Sequence, residues 1–238
     1  MITRYNKWNV NSQWEDIVQN ALGTLDKAYW HELCLSTDWL PGLVRVLAAF
    51  SRPLNGVRYV LIGESPYPRA ESANGYAFWD NAVVDLWGVN GLSARVNRAT
   101  SLRNFIKMLL VAGGDLSQDV SAQAIMRLDV SRYHTTLSAL FERMLASGFV
   151  LLNASLVYRE SEVMHHAKQW QPFILSVLTQ LSCIDPTIRL VLFGRVAEKF
   201  VAATPLSSVH APHPYNLSFI HHPDVIALFK PLNLLLTG

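Results

Sequence analysis

An apolar, β-branched run from Val57 to Ile62 stops abruptly at Gly63 and gives way to Glu64, Ser65, Pro66, Tyr67 and Pro68. A pattern of that kind reads as a buried strand opening into a shaped loop. Two later runs repeat it, Phe149 to Leu152 ending on Asn153 and Arg189 to Phe193 ending on Gly194. A shorter one, Ser207 to Val209, leads into His210-Ala211-Pro212-His213-Pro214. Apolar strands alternating with amphipathic helical segments imply a mostly parallel sheet covered on both faces. The expected fold is therefore α/β, three α/β/α layers around a central, mostly parallel four-stranded sheet. Ligands of such sheets bind beyond the carboxyl ends of the strands. That rule singles out Glu64, Ser65 and Tyr67 after the first strand, Asn153 after the second and His213 after the last.

The helices expected between the strands run from Ser12 to Leu25, with Ser12 as N-cap and Gly23 as stop, and from Leu40 to Phe50. Others run from Leu102 to Val111 before Gly113-Gly114, from Thr135 to Ala146, from Pro172 to Leu181 and from Val196 to Val201. Trp79 to Thr100 lacks periodicity and reads as loop, and Asp115 to Arg132 as a short helix or an insertion. A chain of 238 residues, 50% hydrophobic and 16% charged, fits one domain spanning 1–238. No apolar run reaches the roughly eighteen residues of a membrane helix, and the start lacks a signal-peptide core, so the expected location is cytoplasmic. Cys34 and Cys183 are too few for a disulfide framework and read as buried apolar residues. A net charge of +2 permits nucleic-acid binding without demanding it. His210, His213, His221 and His222 have no cysteine or suitably spaced carboxylate beside them, so no metal is expected.

Five segments carry a resemblance to the uracil-DNA glycosylase superfamily, closest to its family 1 pattern. Gly63-Glu64-Ser65-Pro66-Tyr67 resembles that family's water-activating loop, Gly-Gln-Asp-Pro-Tyr, and is followed by an aromatic, Phe78. Phe149-Val150-Leu151-Leu152-Asn153 is similar to the strand that ends in the base-reading Asn, and Ala211-Pro212-His213-Pro214-Tyr215-Asn216-Leu217-Ser218 to the His-Pro-Ser-Pro-Leu-Ser DNA loop. Thr100-Ser101-Leu102 resembles the serine loop that grips a phosphate, and Leu192-Phe193-Gly194 the intervening strand and turn.

The resemblance implies a cofactor-free, monomeric DNA glycosylase that flips a uracil, or a related deaminated base, out of single- or double-stranded DNA and hydrolyses its N-glycosidic bond. It implies that Phe78 stacks on the base and that Asn153 reads its edge as donor and acceptor. Tyr67 would crowd C5, with Gly63 behind the base, and His213 would stabilise the departing uracil anion. Leu217 would enter the duplex as an apolar wedge. Ser101, Gly194, Pro214 and Ser218 would hold the phosphate backbone. The chain departs from the pattern where Ser65 stands for the family's Asp, Glu64 for Gln, Pro68 for His, and Tyr215 and Asn216 for Ser and Pro. A serine can position water but gives a cationic sugar little electrostatic help. The expectation is slow or Glu64-dependent hydrolysis, with Ser65, Glu64 and His213 as the catalytic set. The alternative is a catalytically reduced homologue that binds DNA or a protein partner.

Overall fold

In the computed structural model, which describes residues 8–194, 200 and 204–237, the strands are β1 (Tyr59–Gly63), β2 (Trp87–Gly88), β3 (Gly91–Leu92), β4 (Phe149–Asn153), β5 (Arg189–Phe193) and β6 (Ser208–Ala211). The helices are α1 (Glu15–Leu22), α2 (Lys27–Leu35), α3 (Ala94–Arg98), α4 (Thr100–Ala112), α5 (Ala122–Met126), α6 (Leu137–Ala146), α7 (Val163–Ile184) and α8 (Pro223–Phe229). The main sheet has the order β4-β1-β5-β6. β1 is parallel to both neighbours, with Gly63 opposite Asn153 and Ile62 opposite Leu192. Leu190 N–H donates to the Ser207 carbonyl and Gly194 N–H to that of Ala211, so β6 advances in step with β5 and is parallel to it. Val60, Ile62, Val150, Leu152, Leu190 and Leu192 share one face by the two-residue period and join a core with residues of α1, α2 and α7. Leu61, Leu151 and Val191 point the other way and are equally buried. Both faces are covered, as the expected three-layer α/β/α fold requires.

The chain divides into two compact units: Met1–Asn81, Gly148–Leu192 and Val196–Ser208 form one, Ala82–Ser147, Phe193–Arg195 and Val209–Gly238 the other. In the first unit Leu40 to Phe50 is not the expected helix. Leu40 exchanges backbone hydrogen bonds with Tyr158, and from Gly42 the chain winds in tight turns to a short 3-10 segment, Ala48–Phe50. Tertiary pairing at Leu40 wins over local helix preference. Asn11, not Ser12, caps the first helical segment, and Gly23 ends α1 as expected. α7 starts at Val163, well before Pro172, which lies inside it. A buried stripe through His166, Trp170, Phe173, Ile174, Val177, Leu178 and Leu181 holds that helix despite the ladder bond that proline removes. Cys183 is exposed, off the buried stripe of α7, and Cys34 is only half-buried, outside the one buried pair of α2, Tyr29 and Leu33.

The expected loop at Trp79 to Thr100, which lies in the second unit from Ala82 on, contains the β2–β3 hairpin and α3, the latter capped by the Ser93 side chain on Val96 N–H. Asp115 to Arg132 holds α5 and a 3-10 turn, Val130–Arg132. α4 and α8 meet through Phe105 and Phe229, and Phe219 packs on Phe105 and Phe193. The expected helix from Val196 to Val201 lies outside the described residues except at Phe200, which is helical and buried. Among those described, no helix is long and apolar enough to cross a membrane.

One polar cluster in the first unit couples stability to pH. His166 is 1% exposed, and its Nδ1 lies 2.7 Å from the Tyr29 hydroxyl, whose proton is held firmly because burial raises its pKa. Nε2 lies 3.6 Å from Glu162, and Arg159 bonds Glu32, Asp38 and Glu162 alongside. Burial depresses the His166 pKa; Glu162 and Glu32 oppose this, and His165 and Arg159 reinforce it. The unfolded chain, with an ordinary histidine value near 6.5, therefore takes up a proton that the folded state refuses. That contribution is complete above the unfolded value and lost as pH falls from there through the lower folded one. The thermal midpoint of the wild type should therefore fall more steeply between pH 7.5 and 5.5 than that of His166→Gln; parallel curves would remove His166 from the pH response.

Candidate active site

The first unit brings the ends of β1 and β4 together at Gly63 and Asn153. A Cβ on Gly63 would stand 2.6 Å from Asn153 Oδ1, 2.9 Å from Ala77 Cβ and 3.4 Å from Phe78 Cε2. Only glycine lets these side chains close over bare backbone there. Asn153 is 1% exposed, and neither its Oδ1 nor its Nδ2 bonds any described group. A buried amide with no protein partner at either end is costly unless water or a ligand pairs it, and one aimed this way can match a ligand that offers both a donor and an acceptor.

The neighbouring loop is held stiffly. Ala77 N–H donates to the Leu151 carbonyl, and the Tyr67 hydroxyl donates to the Phe78 carbonyl at 3.2 Å. Phe78 has φ 64, a left-handed backbone that a bulky residue adopts at a cost of about 1–3 kcal/mol. Such strain gathers where a side chain must be aimed. Burial, and then the charge of Asp80, push the Tyr67 phenol pKa up, so it stays neutral and a donor. Asp80 itself is buried and bonds Arg69 at 3.1 Å, bracing both ends of the loop.

Glu64 and Ser65 are placed differently. Glu64 is exposed and Ser65 half-buried, and they line an open cleft of about 630 Å³ with Ser155, His165, Lys168 and Gln171. The Glu64 carbonyl accepts from Ser155 N–H, which extends the β1–β4 ladder by one step. The Glu64 side chain is not turned inward, as a substitute for a buried water-orienting carboxylate would have to be.

The second unit carries the other candidates. His213 Nδ1 accepts from Tyr215 N–H at 3.2 Å, so in that arrangement Nε2 is the ring nitrogen left to donate. Gly194, with φ +77, lets the chain turn after β5 where a Cβ would press on His213 Cβ at 3.1 Å. Pro214 is buried; Tyr215, Leu217 and Ser218 are exposed, Leu217 by 70%. Leu217 opens a short 3-10 turn, Leu217–Phe219, and its aliphatic side chain stands in solvent. Ser101 sits in the first turn of α4, not in a loop. One positioning residue was missed in the sequence: buried Asn104 of α4 donates Nδ2 to the Pro214 carbonyl at 2.7 Å and pins the His213 loop. Among the described residues no group of three His, Cys, Asp or Glu could hold a metal ion.

No protein-family model matches the chain. It is 28% identical over 222 residues to a uracil-DNA glycosylase from Aliivibrio salmonicida, covering 88% of this chain and 85% of the relative. With one from Streptococcus mutans it shares 29% over 221 residues, 87% of this chain and 85% of that one. Among solved structures, the wild-type UNG from Nitratifractor salsuginis superposes with a TM-score of 0.92 at 40% identity, over 98% of this chain and 95% of that one. Mimivirus uracil-DNA glycosylase, at 16% identity and TM-score 0.57 over 87% of this chain and 70% of its own, shares the fold.

Proposed function

The chain belongs to the uracil-DNA glycosylase superfamily, and from that premise we propose that it excises uracil from DNA by hydrolysing the N-glycosidic bond of a flipped nucleotide. The observation that carries the reading is Asn153, buried with both amide atoms unpaired beside Phe78 and over Gly63. Uracil presents an N3–H donor next to an O4 acceptor, the complement of one carboxamide. Phe78 stacks on the base, and Tyr67 fills the space at C5, where thymine carries a methyl group. His213 donates from Nε2 to O2 as negative charge grows there. Leu217 replaces the extruded nucleotide, while Ser101, Gly194, Pro214 and Ser218 hold phosphates.

The weak part of the machine is the supply of the nucleophile. Ser65 offers a hydroxyl but no charge opposite the sugar cation, and the exposed Glu64 carboxylate faces solvent in the open cleft. Hydrolysis should therefore be slow, with binding stronger than turnover. The same observation favours a second reading, a homologue that retains the base pocket and DNA surface but has lost turnover.

Base release from uracil-containing single- and double-stranded DNA, measured beside an active family 1 enzyme, tests the proposal; no free uracil at stoichiometric enzyme would leave the second reading. Ser65→Asp should raise the single-turnover rate on the order of tenfold or more, since fixed charge opposite a developing one is among the larger catalytic effects. Glu64→Gln should change the rate less than about twofold, because an exposed carboxylate is screened. A large drop in Glu64→Gln would put that carboxylate into the mechanism.

A further inference from the structure

Between Asp85 and Asp115 the chain carries Arg95, Arg98, Arg103 and Lys107 and no carboxylate at all. Exposed helices ordinarily interleave the two signs, because like charges three or four residues apart repel. Here Arg95 and Arg98 lie three apart on α3, and Arg103 and Lys107 four apart on α4. Arg95 and Arg98 are exposed and Arg103 is half-buried. Among the described residues none of the three arginines is ion-paired.

Their side chains are nonetheless held. Arg98 Nε donates to the Ala94 carbonyl at 3.2 Å, Arg103 Nη1 to that of Asn97 at 2.8 Å, and Arg95 to that of Ala82. Each of these bonds uses one of five N–H groups and leaves the rest of the fork open. The repulsion is also felt locally: burial, and then Arg103, lower the Lys107 pKa against the pull of Asp119. Asn104, next to Arg103 in sequence, ties α4 to the Pro214 carbonyl and so to the loop bearing Leu217. The row of cations is thus built onto the same piece of structure as the DNA loop.

We propose that Arg95 and Arg98, with Arg103 behind them, form a phosphate track that engages the DNA backbone outside the extruded nucleotide. The segment from Trp87 to Ala99 thereby gains a role as a backbone-binding extension, one that the motif resemblance assigns only from Ser101 onward. This inference rests on the DNA-glycosylase reading. The partner is a polyanion of regular charge spacing, and guanidinium forks suit phosphate bidentately.

The test is the salt dependence of binding to uracil-free duplex DNA, followed by fluorescence anisotropy. Each lost phosphate contact lowers the slope of log K against log salt by about 0.9, so Arg95→Ala/Arg98→Ala should lower it by about 1.8. Arg95→Lys/Arg98→Lys keeps the charges and should keep most of the slope. Arg143→Ala, an exposed arginine on α6, is the control for net charge and should leave it unchanged. An unaltered slope in the double alanine variant, or an equal fall in Arg143→Ala, overturns the proposal. Uracil-free DNA keeps this test separate from the glycosylase reading, which fails only if base release is absent.

Discussion

Replacing Asn153 with leucine should abolish uracil release while leaving the folded protein at least as stable as before. The two halves of that outcome come from one fact. In the free protein Asn153 is buried and its amide bonds nothing described, so an apolar side chain of similar size removes an unsatisfied group that costs about 1–3 kcal/mol. In the proposed complex the same amide would hold the base by its polar edge. A site built to hydrogen-bond a substrate loses on the order of 10⁴-fold when those bonds go unmade. Single-turnover base release and thermal unfolding, measured on the same preparation, check both halves. A residue kept for strand geometry alone would show little loss of activity, and one kept for stability would show a lower melting temperature.

The second large effect is expected at His213. Its Nδ1 already accepts a backbone N–H from Tyr215, so Nε2 is the nitrogen left to donate. Removing a preorganised donor aimed at a developing oxyanion costs roughly 10²–10³-fold in turnover. His213→Ala should therefore lower kcat by that order with KM altered much less, because the bond strengthens only as the anion forms. His213→Gln, which can still donate, should recover part of the loss. A rise in KM with kcat intact would instead make His213 a simple binding contact.

The strand ends were legible in the sequence because each apolar run is long, β-branched and cut off by a glycine or a polar residue. Gly63, Asn153 and Gly194 follow from that pattern alone. α2 was not legible, since only Tyr29 and Leu33 of its residues are buried and one such pair gives no periodic stripe. The β2–β3 hairpin is two residues per strand, too short for any period to show. Pro172 was misread as a helix start because its usual N-terminal preference is local, whereas the stripe that carries α7 past it is tertiary. Asn104 and Pro214 lie 110 residues apart, and no local pattern announces such a pair. The same holds for Asp80 behind Tyr67. The placement of Glu64 depends on which way one side chain turns at a strand end, which alternation does not determine once the strand has stopped.

The braced loop around Tyr67 bears on selectivity. Thymine differs from uracil by one methyl group, and a yielding pocket distinguishes such a pair by only about 1–3 kcal/mol. A wall that recoils by a few tenths of an ångström would admit both bases. Tyr67 is held by its bond to the Phe78 carbonyl, Ala77 by its bond to Leu151, and Arg69 by buried Asp80. Fidelity in this protein would then be a mechanical property: the rejection of a normal base depends on how little the floor and wall of the pocket can move, more than on any group that touches the methyl.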